Sequence, residues 1–292
     1  MEKVTVRQAT SGAHPHKNED GLCHFVHTDK CVDLVIIDGA SSVADMNYLD
    51  DPCGDPTWFV SGLCEQINLL ALAERSVEDI IEGAVREVAY KFKQCQNAEN
   101  MPIYAKPIAA ISWVRLSKKR ANLTTVDIYA LGDCKSLMRS EDNVIDLDPY
   151  INQQEVIISK EIQKLKQSHL ICADNAAETL MPMLRERREE QNAAFTPSVL
   201  CLHPKGKMDF RRYRYEFHSP FQILLMTDGL YRFVDTYGIH SNQSLFRECV
   251  EKGLDETISN LRQYEAQRPK HEVLTVKKLD DASAILCSVR ED

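Results

Sequence analysis

Val32-Asp33-Leu34-Val35-Ile36-Ile37-Asp38-Gly39 decides how this chain is read. Its β-branched and apolar residues read as a strand, and a carboxylate closes it. The same ending recurs: Ile128-Tyr129-Ala130-Leu131-Gly132 runs into Asp133, and Ile223-Leu224-Leu225-Met226-Thr227 runs into Asp228-Gly229. Two further acidic groups flank these three. Asn18-Glu19-Asp20 precedes them, and Leu279-Asp280-Asp281-Ala282-Ser283 lies just before the last apolar run, Ala284-Ile285-Leu286-Cys287. A carboxylate at a strand end is rigidly held yet leaves the apolar sheet. Several such ends meeting at one edge would form a cage of hard oxygen donors suited to a divalent metal.

Outward from these ends, residues 3 to 9 and 22 to 37 read as strands separated by the polar loop Ser11 to Asp20. A stretch rich in Gly, Ser, Asp and Pro leads to Asp55-Pro56, an N-cap and N1 pair for a helix carrying Val60, Leu63, Ile67 and Leu70 at helical spacing. Ser76-Val77-Glu78-Asp79 resembles a capping box that opens a second helix, striped by Ile81, Ala84, Val85, Val88 and Phe92, to about residue 96. Strands at about 107–116, 123–131 and 134–139 read as adjacent hairpins with a basic turn at Lys118 to Ala121. Residues 155–192 read as helical with breaks near Ser168 and Pro182. Strands follow at about 197–203, 207–217 and 221–227, then helices at 241–253 and 255–267, then a closing strand at 282–289. Helix pairs inserted between runs of antiparallel strands indicate an α+β layered fold with helices on the outer faces of the sheets, read here as one domain over residues 1–292.

The net charge of −9 argues against a nucleic-acid backbone or an anionic membrane surface as partner. Of the short basic clusters, Arg185-Glu186-Arg187-Arg188 alternates with acids as a solvated helix face would. Arg211-Arg212-Tyr213-Arg214 reads as a charged strand face in preference to an anion site. Ten cysteines without a CxxC pair fit reduced thiols, and the nine histidines show neither HExxH nor cysteine partners at zinc spacing. The N-terminus has no signal-peptide core and no run reaches bilayer-spanning length, so a cytoplasmic protein is expected.

The acidic motifs carry more weight in order than singly. Asn18-Glu19-Asp20, Asp38-Gly39, Gly132-Asp133, Thr227-Asp228-Gly229-Leu230 and Asp280-Asp281-Ala282-Ser283 together resemble the PP2C-type (PPM) metal-dependent serine/threonine phosphatases, over about residues 10 to 289. The likeness is nearest to bacterial-style members. It implies a four-layer α-β-β-α sandwich of two antiparallel sheets flanked by helix pairs, with two Mg²⁺ or Mn²⁺ ions at one end and a third, weaker one beside them. Carried over by motif, Asp38 bridges the two ions and the Gly39 carbonyl completes one of them, while Asp228 and Asp280 hold the other. Glu19 and Asp20 bind the second ion directly or through its waters, Asp133 serves the third, and Asp281 stands where the family has Asn or Asp.

The activity so implied is hydrolysis of a phosphomonoester, foremost phosphoserine or phosphothreonine in protein, by metal-activated water. Two positions depart from the family. The arginine that grips phosphate is replaced by Pro15, leaving His14, His16 or Lys17 as nearby cations, and the histidine after the bridging Asp-Gly is replaced by Ala40. These departures favour a second reading, a PPM-fold regulatory or binding module without efficient turnover. Retention of every carboxylate favours the enzyme, because clustered charges are costly to keep. A third reading, hydrolysis of a non-protein phosphate ester, stays open.

Overall fold

The structure is a computed structural model that describes residues 3–14, 17–28, 30–49, 52–120, 122–167, 176–267 and 279–290. One antiparallel sheet runs β1 (Lys3–Ser11), β11 (Ala282–Arg290), β10 (Phe221–Met226), β6 (Lys135–Ser140), β7 (Asn143–Asp146) in spatial order. The other runs β2 (Asp20–Thr28), β3 (Cys31–Gly39), β4 (Ile108–Arg120), β5 (Leu123–Leu131), β9 (Arg211–His218), with the two-residue β8 (Leu200–Cys201) on β4.

Side-chain alternation explains why these strands are so apolar. In β3, Val32, Leu34 and Ile36 face a core shared with Ile223 and Leu225 of β10 and Ile285, Cys287 and Val289 of β11. Val35 and Ile37 face the opposite way, against helices α1 (Asp55–Leu70) and α2 (Val77–Phe92) through Phe59, Leu63, Ile67, Ile81 and Val88. The first sheet repeats the arrangement. Leu224, Met226, Ala284 and Leu286 turn outward against Leu245, Phe246, Ile258 and Leu261 of α6 (Asn242–Glu251) and α7 (Leu254–Gln267). Strands buried on both faces lose the polar half of the usual two-residue alternation. The outcome is the four-layer α-β-β-α sandwich, in which each fully buried Leu, Ile or Phe contributes about 1.5–3 kcal/mol.

Asp33, the one polar residue inside the β3 run, is fully buried and meets Arg115 directly across the sheet, with two hydrogen bonds of 2.8 Å and a third from His27. Arg115 also donates to the carbonyls of Ala73 and Arg75, which fixes the link from α1 to α2 to the central strand β4.

Several expectations are corrected. Residues 22–37 are two strands, β2 and β3, turning near Lys30, and β2 begins at Asp20. Strand β6 leaves the hairpin β4–β5 and joins the other sheet. Gly132 makes this turn at φ +77°, and a Cβ there would lie 2.4 Å from the Ala110 methyl. Strand β4 runs through the expected basic turn to Arg120, with Asn122 at φ 62°. The 155–192 region is α3 (Gln153–Gln167) and α4 (Ala176–Ala193), with Pro182 inside α4; the expected break at Ser168 lies outside the described residues. Strand 197–203 shrinks to β8, the strand expected from 207 begins at Arg211, and β7 and the four-residue α5 (Asp228–Tyr231) carried no sequence expectation. The N-cap of α1 is Gly54. Asp55 is instead the first helical residue, and its buried carboxylate accepts from the amides of Tyr48 and Leu49.

Candidate active site

The core between the sheets ends in polar residues at one edge. Alternation carries Ile36 of β3 on to Asp38, Leu225 of β10 on to Thr227, and Ile285 of β11 back to Ser283, so all three face the same end of the gap. Asp20 joins them because it pairs directly with Asp38 across β2 and β3. Like charges at directly opposed positions destabilise a sheet, so packing alone does not account for this pair.

A hydrogen-bonded frame holds the edge. The Thr227 hydroxyl donates to Asp20 Oδ2 (3.0 Å) and accepts from the Ser283 amide (3.0 Å), while the Ser283 hydroxyl bonds that of Thr10 at 2.6 Å. The Asp228 amide donates to Asp38 Oδ2 at 3.3 Å. Gly229 lets this turn lie against the start of β11, where a Cβ would be 1.9 Å from the Asp281 carbonyl oxygen. Asp133 accepts from Asn152 Nδ2 at 2.5 Å, and Arg211 braces the preceding Gly132 carbonyl at 2.6 Å while paired with buried Asp148.

The electrostatics report on the clustering. Burial raises the Asp38 carboxyl well above its usual range, and Asp228, Asp20, Asp133 and Asp280 push it further in that direction. Asp20 is raised to about 7, first by burial and then by Asp281 and Asp280, against the lowering effect of hydrogen bonds with Ser283 and Thr227. Cys134 sits beneath, fully buried, its thiol pushed up by burial and by the same carboxylates. Four of the seven expected metal residues, Asp20, Asp133, Asp228 and Asp280, therefore act on a fifth, Asp38, at one edge. Gly39 follows Asp38 on its strand, and its amide donates to the Glu19 carbonyl at 3.0 Å.

Glu19 is 3% exposed, accepts from the Ser41 hydroxyl at 2.5 Å and pairs with Lys17 at 3.0 Å. His14 is exposed in the loop, where its carbonyl accepts from the Lys17 amide; His16 and Pro15 lie outside the described residues. Ala40, in the position of the family's histidine, packs instead with Ile108, Val199 and Cys201.

Sequence reasoning named Asp281 only as a motif position, without its role in holding the loop, and missed Asn152 and Arg188 as contributors. Asp281 accepts from the amides of Ala13 and Glu19, both at 2.6 Å, and so clasps the two ends of the first loop to β11. Asn152 has no motif around it. Arg188, expected on a solvated helix face, is buried near Glu19 and donates to the Ser41 carbonyl. No local signal separates Arg188 from its neighbours Arg185 and Arg187. In the third basic cluster Arg212 and Arg214 follow expectation as a charged strand face, paired with Glu78 and Asp127, while Arg211 faces the other way onto buried Asp148.

The donor set fits a hard divalent cation in kind: carboxylates and carbonyls, with Asp20 Oδ1 buried and without a hydrogen-bond partner. Among the described residues, no group of three or more His, Cys, Asp or Glu side chains is itself arranged to hold a metal ion. The carboxylates surround Asp38 without forming a finished ligand polyhedron.

No family model and no curated protein sequence matches the chain. Solved structures do. The Mycobacterium tuberculosis serine/threonine phosphatase PstP/Ppp matches with TM-score 0.54 at 11% identity over 100% of both chains, and its catalytic domain in complex with two manganese ions matches equally. The S. agalactiae serine/threonine phosphatase matches with TM-score 0.55 at 11% identity, covering 99% of this chain and 100% of its own. The PP2C phosphatase domain of SpoIIE from Bacillus subtilis matches with TM-score 0.53 at 9% identity, over 100% of this chain and 64% of that one. At these identities the likeness is one of fold: the chain has the PP2C-type phosphatase fold.

Proposed function

We propose that this chain is a metal-dependent phosphomonoester hydrolase acting on phosphoserine or phosphothreonine in protein, in a cytoplasmic setting. The observation that carries the reading is the convergence of four aspartates on Asp38 at the open end of the inter-sheet core. Carboxylates held this close repel, and cations between them are what would keep them ionised. Mg²⁺ or Mn²⁺, when bound, supplies an acidified water and neutralises phosphoryl charge.

The chain's own groups have separable tasks. Asp38, Asp228, Asp280 and the Gly39 carbonyl would hold divalent ions together with Glu19 and Asp20, the latter two directly or through water, and Asp133 with its Asn152 partner would serve a third. Thr227 orients Asp20, and Asp281 fixes the loop that delivers Glu19. Water adds to phosphorus and the ester oxygen departs, giving an alcohol and inorganic phosphate. With Ala40 in apolar surroundings, position 40 offers no proton to the departing oxygen. That alanine, and the lack of any arginine from Ser11 to Asp20, favour a second reading in which the fold serves as a metal-binding regulatory module.

Initial rates on an aryl phosphate and on phosphoserine and phosphothreonine peptides, with and without Mn²⁺, decide between them. Metal-dependent turnover abolished by Asp38→Asn supports the hydrolase. Tight Mn²⁺ binding with no turnover of any ester supports the module.

A further inference from the structure

Helix α4 carries Arg185, Arg188 and Asn192, spaced three and four residues apart and therefore on one face. That face is docked on the loop leaving Asp38-Gly39 and on the segment near Ile103. Arg185 donates to the Val43 carbonyl at 2.8 Å and pairs with Asp45 at 2.5 Å. Asn192 donates to the carbonyls of Ile103 and Lys106 at 3.1 and 3.0 Å. Both outer residues are well satisfied.

Arg188, between them, is not. It is only 8% exposed, and among the described residues its single hydrogen-bond acceptor is the Ser41 carbonyl at 3.3 Å. A guanidinium has five N–H donors in a fixed fork, and a buried charge leaves donors unused only at a cost. Burial lowers its pKa to about 10, and the nearby Glu19 offsets this in part. Yet Glu19 is occupied by Lys17 and Ser41 and forms no ion pair with Arg188 among the described residues. The result is a cation beside Glu19 with one protein acceptor among the described residues and the rest of its fork free to take a ligand. An anion with two oxygens in one plane would complete it.

We propose that Arg188 is the phosphoryl-recognising residue of this site, its fork taking two oxygens of a phosphomonoester bound beside Glu19 and Ser41. The inference rests on the phosphatase reading and deepens it. The first loop, Ser11 to Asp20, contains no arginine, and Lys17 there is already paired with Glu19. Helix α4 would thus supply from far along the chain what that loop does not.

The test uses the full chain loaded with Mn²⁺, inorganic phosphate as probe, and Arg188→Lys, which keeps the charge and removes the fork. Calorimetry should show wild-type Mn²⁺ affinity in the variant but phosphate binding weakened about tenfold to a hundredfold. KM for an aryl phosphate should rise in parallel, with kcat changing less. Equal phosphate affinity in wild type and variant would overturn the proposal while leaving the hydrolase reading intact. A joint loss of Mn²⁺ and phosphate affinity would also overturn it, since Arg188 would then only position Glu19. If wild type binds Mn²⁺ but neither binds phosphate nor hydrolyses any ester, the hydrolase reading itself fails and takes the proposal with it. Should the lysine variant fold poorly, Arg188→Ala with millimolar guanidinium decides the matter. Recovery of phosphate binding by guanidinium, and not by methylammonium, supports the fork, and no recovery refutes it.

Discussion

Asp20→Asn is expected to stabilise the metal-free protein and to weaken its hold on divalent metal, two effects of opposite sign from one atom change. Burial opposite Asp38, with Asp281 and Asp280 nearby, raises the Asp20 carboxyl from 3.8 to about 7. The unfolded chain releases that proton near pH 4. Between the two values the native state therefore holds more protons than the unfolded one, and stability falls as pH rises. At about 1.4 kcal/mol per pKa unit, keeping Asp20 ionised in the folded protein at pH 8 costs about 4 kcal/mol. Asparagine avoids that cost, while its amide oxygen still accepts from the Thr227 hydroxyl. Urea unfolding in chelator at pH 5 and pH 8 reads the difference. The variant should lose less stability between the two pH values than wild type, by about 2.6 kcal/mol, since part of the cost is already present at pH 5. In Mn²⁺ at pH 8 the gap should narrow, because ligand at a hundred times its Kd adds about 2.7 kcal/mol to wild type and less to a variant that holds it weakly. An identical pH slope in the two proteins would refute the linkage argument. Undiminished Mn²⁺ stabilisation of the variant would remove Asp20 from the metal site.

Asp38→Asn combined with Asp228→Asn should abolish Mn²⁺ binding by calorimetry, and an unchanged Kd would show that the ions bind elsewhere. Hydrolysis should be lost to chelator and survive an alkylating reagent, because Cys134, buried beneath the carboxylates, has its thiol held protonated; inactivation that substrate protects against would contradict this. Asp281→Ala leaves the amides of Ala13 and Glu19 without their acceptor. At about 1–3 kcal/mol for each orphaned donor, urea unfolding should show a loss of roughly 2–6 kcal/mol, with faster hydrogen exchange at both amides. Wild-type exchange at those amides would mean that the loop is held by other contacts.

Local chemistry wrote much of this molecule into the chain order. The apolar runs ending at Asp38, Asp133 and Asp228 were legible because strand content and its termination are local properties, and in the folded protein the ends at Asp133 and Asp228 both act on Asp38. The helix pairs at α1–α2 and α6–α7 were legible from residue spacing for the same reason, and their apolar stripes are the faces that pack. Sheet membership was not. Whether β6 continues the β4–β5 meander depends on one left-handed glycine, Gly132, and on the Ala110 methyl that leaves no space for a side chain there. The confrontation of Asp20 with Asp38 required the hairpin inside what read as one long strand. Asp281 and Arg188 mark the limit most plainly. Nothing beside Asp281 reveals that its two oxygens bind amides more than 260 residues away, and nothing beside Arg188 distinguishes it from a solvated arginine until α4 docks on the loop after Gly39. Sequence by itself determined which residues are fit to form a strand, a helix face or a ligand, since periodicity and side-chain chemistry act within a few residues. Tertiary structure alone decided which surface covers each face, and with it which charges are buried, which are paired and which are left needing a partner, because those depend on contacts between segments that the chain order does not bring together.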